Sequence, residues 1–101
     1  MHYDVKFPTK SIANKFRKKL EKVSPPDAQQ KIMEKVEALS SNPRPFGRKL
    51  FKHIKPPVHV YRYIARYRIR VSSYRVLYDI DDNRKIVWIY SLRKREEDTY
   101  K

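Results

Sequence analysis

The sequence predicts an α+β fold in the order β-α-α-β-β-β, with a helical hairpin packed on one face of a mostly antiparallel four-stranded sheet. Three observations lead there. Residues 61–71 alternate with period two, placing Tyr61, Tyr63, Ala65, Tyr67, Ile69 and Val71 at odd positions and Arg62, Ile64, Arg66, Arg68 and Arg70 at even ones. Two earlier stretches repeat apolar residues at helical spacing, Ile12, Phe16, Leu20 and Val23, then Ala28, Ile32, Val36 and Leu39. The link between them, Ser24-Pro25-Pro26-Asp27, is short enough to set the two helices antiparallel.

Each element has its own signals. Tyr3, Val5 and Phe7 alternate with His2, Asp4 and Lys6, which predicts a short first strand ended by Pro8-Thr9. The first helix carries Lys15, Lys18, Lys19 and Lys22 opposite its apolar stripe. Ser24 as N-cap, proline at the first helical position and an acid at the third open the second helix. Ser40 to Pro45 breaks that helix and starts a long loop through Gly47, Arg48, Lys49, Lys52 and Lys55, stiffened at its end by Pro56-Pro57. Three strands follow, at about 58–71, 74–80 and 85–92, with turns at Ser72-Ser73 and Asp81-Asp82-Asn83-Arg84. The remaining residues, Arg93 to Lys101, form a helical turn or a tail. On this register Tyr67, Ile69, Val71, Val76, Tyr78 and Ile80 face the helices, and Arg68, Arg70, Arg75, Trp88 and Tyr90 face away.

Composition narrows the function. The 101 residues are expected to form a single domain, 1–101, able to bury a core without disulfides or metal. Without cysteine, an apolar span of membrane length or a signal-peptide pattern, the expected location is cytoplasmic, with no membrane partner. Lys and Arg number 25 against 11 Asp and Glu, a net charge of +14, and no acid occurs between Glu37 and Asp79. Such a field suits a polyanion. His2, His53 and His59 lack metal-ligand spacing, Gly47 stands outside any glycine-rich phosphate loop, and Ser72-Ser73 has no histidine nearby in sequence. No metal and no small-molecule cofactor are expected.

Cationic and phenolic chemistry remains. With Ser72-Ser73 at the tip of a tight hairpin, Arg70 lies opposite Arg75, an arrangement that is destabilising unless an anion comes between them. Arg68, Arg70, Arg75 and Arg95, together with Tyr100, are placed to surround one phosphodiester. Taken singly, each arginine fits a surface strand position and Tyr100 a C-terminal anchor; the set fits phosphate better. RNA supplies its own nucleophile in the 2′-OH, so positioning and charge neutralisation do much of the work. Neighbouring cations favour a Tyr100 phenolate able to accept the 2′-OH proton. Trp88 and Tyr90 are the tyrosine or tryptophan positions placed to stack on bases, most other tyrosines being core.

Tyr67 to Tyr78 resembles the central hairpin motif of the RelE/ParE superfamily of toxins, and Ser91 to Tyr100, with Lys94 and Arg95, resembles its C-terminal basic-plus-tyrosine motif. The order of the first strand and two helices agrees as well. The resemblance implies the toxin of a type II toxin-antitoxin system. It would be a metal-independent endoribonuclease that cuts mRNA in the A site of the 70S ribosome and leaves a 2′,3′-cyclic phosphate and a 5′-OH. It also implies a cognate antitoxin, which the +14 charge leads one to expect to be acidic and to lay a helix or strand across the basic face. By position, Arg75 and Arg95 would stabilise transition-state charge, and Tyr100 would orient or deprotonate the 2′-OH. Arg68 and Arg70 stand where RelE-type ribonucleases tend to carry lysines. A guanidinium serves poorly in proton transfer, so these two are expected to clamp phosphate. Lys49, Lys52, Lys94 and Trp88 complete the expected RNA-binding set. The ParE branch shares the fold and poisons DNA gyrase instead, and a non-catalytic RNA-binding module is a third reading.

Overall fold

The computed structural model describes residues 2–45 and 51–94. Its elements are β1 (Asp4–Lys6), α1 (Lys10–Glu21), α2 (Pro26–Ala38), β2 (Phe51–Val60), β3 (Tyr63–Val71), β4 (Tyr74–Asp81) and β5 (Ile86–Lys94). The strands form one sheet in the order β1-β5-β4-β3-β2, antiparallel except where β1 runs parallel to β5. The expected α+β plan therefore holds, with five strands in place of four.

The extra strand lies where a loop was expected. β2 is an edge strand, so Pro56 and Pro57 can sit in it without removing an N–H that the ladder needs. A register shift between His53 and Val58 absorbs them. Val60 pairs with Tyr63, so the chain reverses in two residues, Tyr61-Arg62. The turn moves the inward positions from the even Val58 and Val60 to the odd Tyr63 and Ala65. The stretch 58–71, expected as one strand, is therefore the end of β2, a turn and β3.

The helices begin by different means. Thr9 caps α1 by accepting a hydrogen bond from the Ile12 amide at 3.1 Å. In α2 the N-cap is Pro25, not Ser24, and no side chain caps it; Pro26 and Asp27 suit the first turn. Phe16, Ile32, Val36 and Leu39 bury against Ile69, Val71, Val76, Tyr78, Val87 and Ile89 on one face of the sheet.

A second, smaller core occupies the opposite face. Ile54, Val58, Val60 and Ala65 of the β2–β3 hairpin pack with Leu77 of β4 and Tyr90 of β5. Tyr63 and Ala65 belong to this cluster, whereas Tyr67 and Ile69 belong to the first, so the far half of the hairpin curls across the second face. Lys15 of α1 donates to the Tyr61 hydroxyl at the hairpin tip. That contact closes the curl against the first helix.

One polar cluster ties the end of α2 to the sheet. Asp82 accepts from Arg44 at 2.9 Å and from the Tyr3 hydroxyl at 2.7 Å, and the buried Tyr78 hydroxyl donates to the Pro43 carbonyl at 2.7 Å. The Arg44 and Tyr3 hydrogen bonds pull the Asp82 carboxyl down to about 2. A carboxylate with a depressed folded-state value contributes stability above its ordinary range and loses it as pH falls. Asp82→Asn is therefore expected to flatten the loss of stability between roughly pH 4 and pH 2, read by denaturant unfolding at each pH. An unchanged slope in the variant would assign the acid sensitivity to other carboxylates.

Candidate phosphate-binding groove

On the second face, arginines from three strands stand abreast. Arg70 of β3 pairs in register with Arg75 of β4, which pairs in turn with Arg93 of β5. Adjacent strands lie about 4.8 Å apart, so the row spans roughly 10 Å. Lys52 of β2 and Arg68 of β3 form a second cross-strand pair nearby. The left-handed residue at φ 57° in the Ser72-Ser73 turn is Ser72, and the tight turn enforces the Arg70–Arg75 register.

These side chains line a groove of ≈ 580 Å³ with Lys55, Pro56, Pro57 and His59 as its far wall. Among the described residues its lining includes six cations, Lys52, Lys55, Arg68, Arg70, Arg75 and Arg93, and no carboxylate. Arg68 is only 7 % exposed, and the Nε of Arg70 is buried without an acceptor among the described residues. A buried donor left unmet costs about 1–3 kcal/mol. A phosphate oxygen entering the groove would meet it.

The floor is the second core. Leu77, fully buried, is opposite Arg68 on the same face and packs with Ile54, Val58 and Tyr90. The wall is the bulged half of β2, which the two prolines hold extended. Further along the same face Arg66 pairs with Asp79. Burial pushes the Asp79 carboxyl upward while Arg66 draws it back down, so this acid is committed to its own arginine, next to the groove rather than in it.

The expected site residues divide accordingly. Lys52, Arg68, Arg70 and Arg75 meet in the groove. Lys49, Arg95 and Tyr100 lie outside the described residues. Lys94 pairs with Tyr74, a residue of the first core, and so lies on the helical face. Trp88 is half-buried against the second core and lines a separate hollow with Arg66, Asp79, Asp81 and Asp82. Tyr90, expected to face solvent and stack on bases, is 8 % exposed and stacks on Tyr63 with centroids 5.1 Å apart. Its hydroxyl is pushed up to about 12 by burial, which also removes it as a proton acceptor.

Sequence reasoning missed Arg93 and His59, and gave Lys55 only as part of a basic loop. A β-bulge explains Arg93. The β4–β5 register shifts between Leu77 and Tyr78, leaving Tyr90 as the extra residue. The shift reverses the side-chain parity beyond it. Arg93 turns into the groove, its Nε 3.3 Å from the Ser91 hydroxyl, and Lys94 turns out of it.

Fold and face together define a class: a RelE/ParE-type fold, with two helices on one face of a curled, mostly antiparallel sheet and a row of arginines on the other. The family model for the ParE toxin of type II toxin-antitoxin systems matches residues 10–99, and the chain belongs to this family within the RelE/ParE superfamily. Three solved structures are similar. The RelBE2 toxin-antitoxin complex from Mycobacterium tuberculosis is 27% identical, with a TM-score of 0.61 over 94% of this chain and 100% of that one. The archaeal RelE–RelB complex from Pyrococcus horikoshii is 25% identical, with a TM-score of 0.68 over 94% of this chain and 97% of that one. A doubly arginine-to-alanine substituted Escherichia coli RelE in the free state shares the fold, at 18% identity and a TM-score of 0.54 over 97% of this chain and 88% of that one. No curated protein sequence matches the chain.

Proposed function

We propose that this toxin is a metal-independent endoribonuclease that cuts mRNA in the ribosomal A site by attack of the RNA 2′-OH on the adjacent phosphorus. The observation that carries the reading is the arginine row Arg70–Arg75–Arg93 beside Lys52 and Arg68. In that reaction the 2′-oxygen bonds to phosphorus and loses its proton, while the 5′-oxygen leaves and gains one, giving a 2′,3′-cyclic phosphate and a 5′-OH. Negative charge grows on the non-bridging oxygens, and Arg75 at the centre of the row is placed to neutralise it. Arg68 and Arg70 clamp the backbone, and Arg93 takes the flanking position expected of Lys94. Arg95 and Tyr100 are proposed to complete the set from the C-terminal segment.

Guanidinium groups hold phosphate but do not shuttle protons at neutral pH. In the groove lining, the imidazole of His59 both donates and accepts, so it is the described residue suited to proton transfer. His59→Gln is expected to lower the cleavage rate by about 10²-fold while leaving RNA affinity within a factor of about two. Single-turnover rates and equilibrium binding separate the two effects. Equal losses in both would make His59 a contact residue only.

The direct test is cleavage mapping of ribosome-bound mRNA in EDTA. Cuts in the A site ending in cyclic phosphate support the reading, and intact mRNA refutes it. A second reading, inhibition of DNA gyrase, draws on the match to the ParE family model. Inhibition of supercoiling without RNA cleavage would favour it. The toxin-antitoxin complexes among the similar structures support a cognate antitoxin, and the +14 charge suits an acidic one.

A further inference from the structure

Tyr61 combines exposure with a costly backbone conformation, and Lys15 holds it from the first helix. Among the described residues it is the large hydrophobic side chain left mostly in water, at 67 % exposure. It also takes φ 58° in the β2–β3 turn, a conformation costly for a bulky residue and open to glycine. Lys15 of α1 braces the ring on one side, its Nζ 4.0 Å from the ring centroid. The ring stands between two hollows. One, of ≈ 430 Å³, includes Lys15, Lys19, His59, Ser91 and Arg93 in its lining; the other, of ≈ 250 Å³, includes Arg62. His59 and Arg93 also line the arginine groove, so a basic path runs unbroken from Arg75 to Tyr61.

We propose that Tyr61 is a stacking platform for a base of single-stranded RNA flanking the phosphate held in the arginine groove, with Lys15 bracing the ring and Arg93 carrying the backbone between the two sites. An aromatic face beside a track of cations is the physical requirement for binding single strands, since every base offers a π-face and every linkage a charge. This inference rests on the RNA reading of the groove.

The probes are 2′-O-methyl oligoadenylates, which lack the attacking hydroxyl, of about three and about eight nucleotides, spanning one and both sites. Tyr61→Leu is expected to weaken binding of the longer probe by roughly 5-fold or more and leave the shorter one unchanged, while Tyr61→Phe binds both as the wild type does. Unchanged binding of the longer probe by Tyr61→Leu overturns the proposal. So does an equal loss for both probes accompanied by a lower Tm, which would make the ring a clamp on the hairpin tip. Weakened antitoxin binding with unaltered RNA binding would assign the surface to protein and overturn it as well. If Arg75→Ala leaves both probes bound while Tyr61→Leu still weakens the longer one, the groove reading fails, and with it the placing of the stacked base beside a phosphate held there. If the wild type binds neither probe, both fall.

Discussion

Arg75→Ala is expected to reduce mRNA cleavage by about 10²–10³-fold, the usual cost of removing one charge-stabilising donor from a transition state. Arg75 is the middle member of the row, with Arg70 on one side and Arg93 on the other, and is therefore central to the proposed site. Arg70→Ala should act differently. Its loss weakens the grip on the backbone, but it also removes a like charge directly opposite Arg75, a pairing worth up to about 1 kcal/mol of destabilisation. Thermal melts and cleavage assays on the same preparations test this together. Arg70→Ala should lose activity without losing stability, as expected where a fold accepts a local cost for binding. An Arg70→Ala protein that melts well below wild type would mean that the row is structural.

Leu77→Ala should have the largest effect on stability among groove-floor substitutions. Leu77 is fully buried in the second core, between the curled hairpin and β5. Truncating such a side chain costs about 2–5 kcal/mol, which lowers Tm by at least roughly 8 °C in a domain of this size. Ile32→Ala provides the comparison, since Ile32 is equally buried but belongs to the first core under the helices. At a temperature where both variants remain folded, Leu77→Ala should bind RNA more weakly, because the Pro56-Pro57 wall and Arg68 rest on that floor. Equal affinities would show that the groove keeps its shape without the second core.

The helices and the inward strand residues were legible from residue spacing alone. Ile32, Val36, Ile69, Val76 and Tyr78 fall where a 3.6-residue or two-residue period puts them. What the spacing concealed was every point at which the period slips. The turn at Tyr61-Arg62 moves the inward positions from Val58 and Val60 to Tyr63 and Ala65, a change of parity that reading 58–71 as one strand passed over. The bulge at Tyr90 reverses parity beyond it and exchanges Arg93 for Lys94 in the groove, while Tyr90, on the face that counting gave it, is buried by the hairpin curled over that face. Edge position, which decides whether a strand tolerates Pro56-Pro57, depends on sheet order and has no local signature. The pairing of Arg70 with Arg75 was legible because both lie one residue from a tight turn's flanking pair. Lys49, Arg95 and Tyr100 lie outside the described residues, and their roles are proposals only.

The most direct measurement follows the arginine side chains themselves, through NMR correlations of their Nε–Hε groups, during titration with a 2′-O-methyl RNA. Arg68, Arg70, Arg75 and Arg93 are expected to shift together at one RNA concentration, with Arg44 and Arg84, on the far loop and turn, unmoved. Binding that leaves those four signals in place, or that shifts the distant arginines instead, would contradict the proposed site.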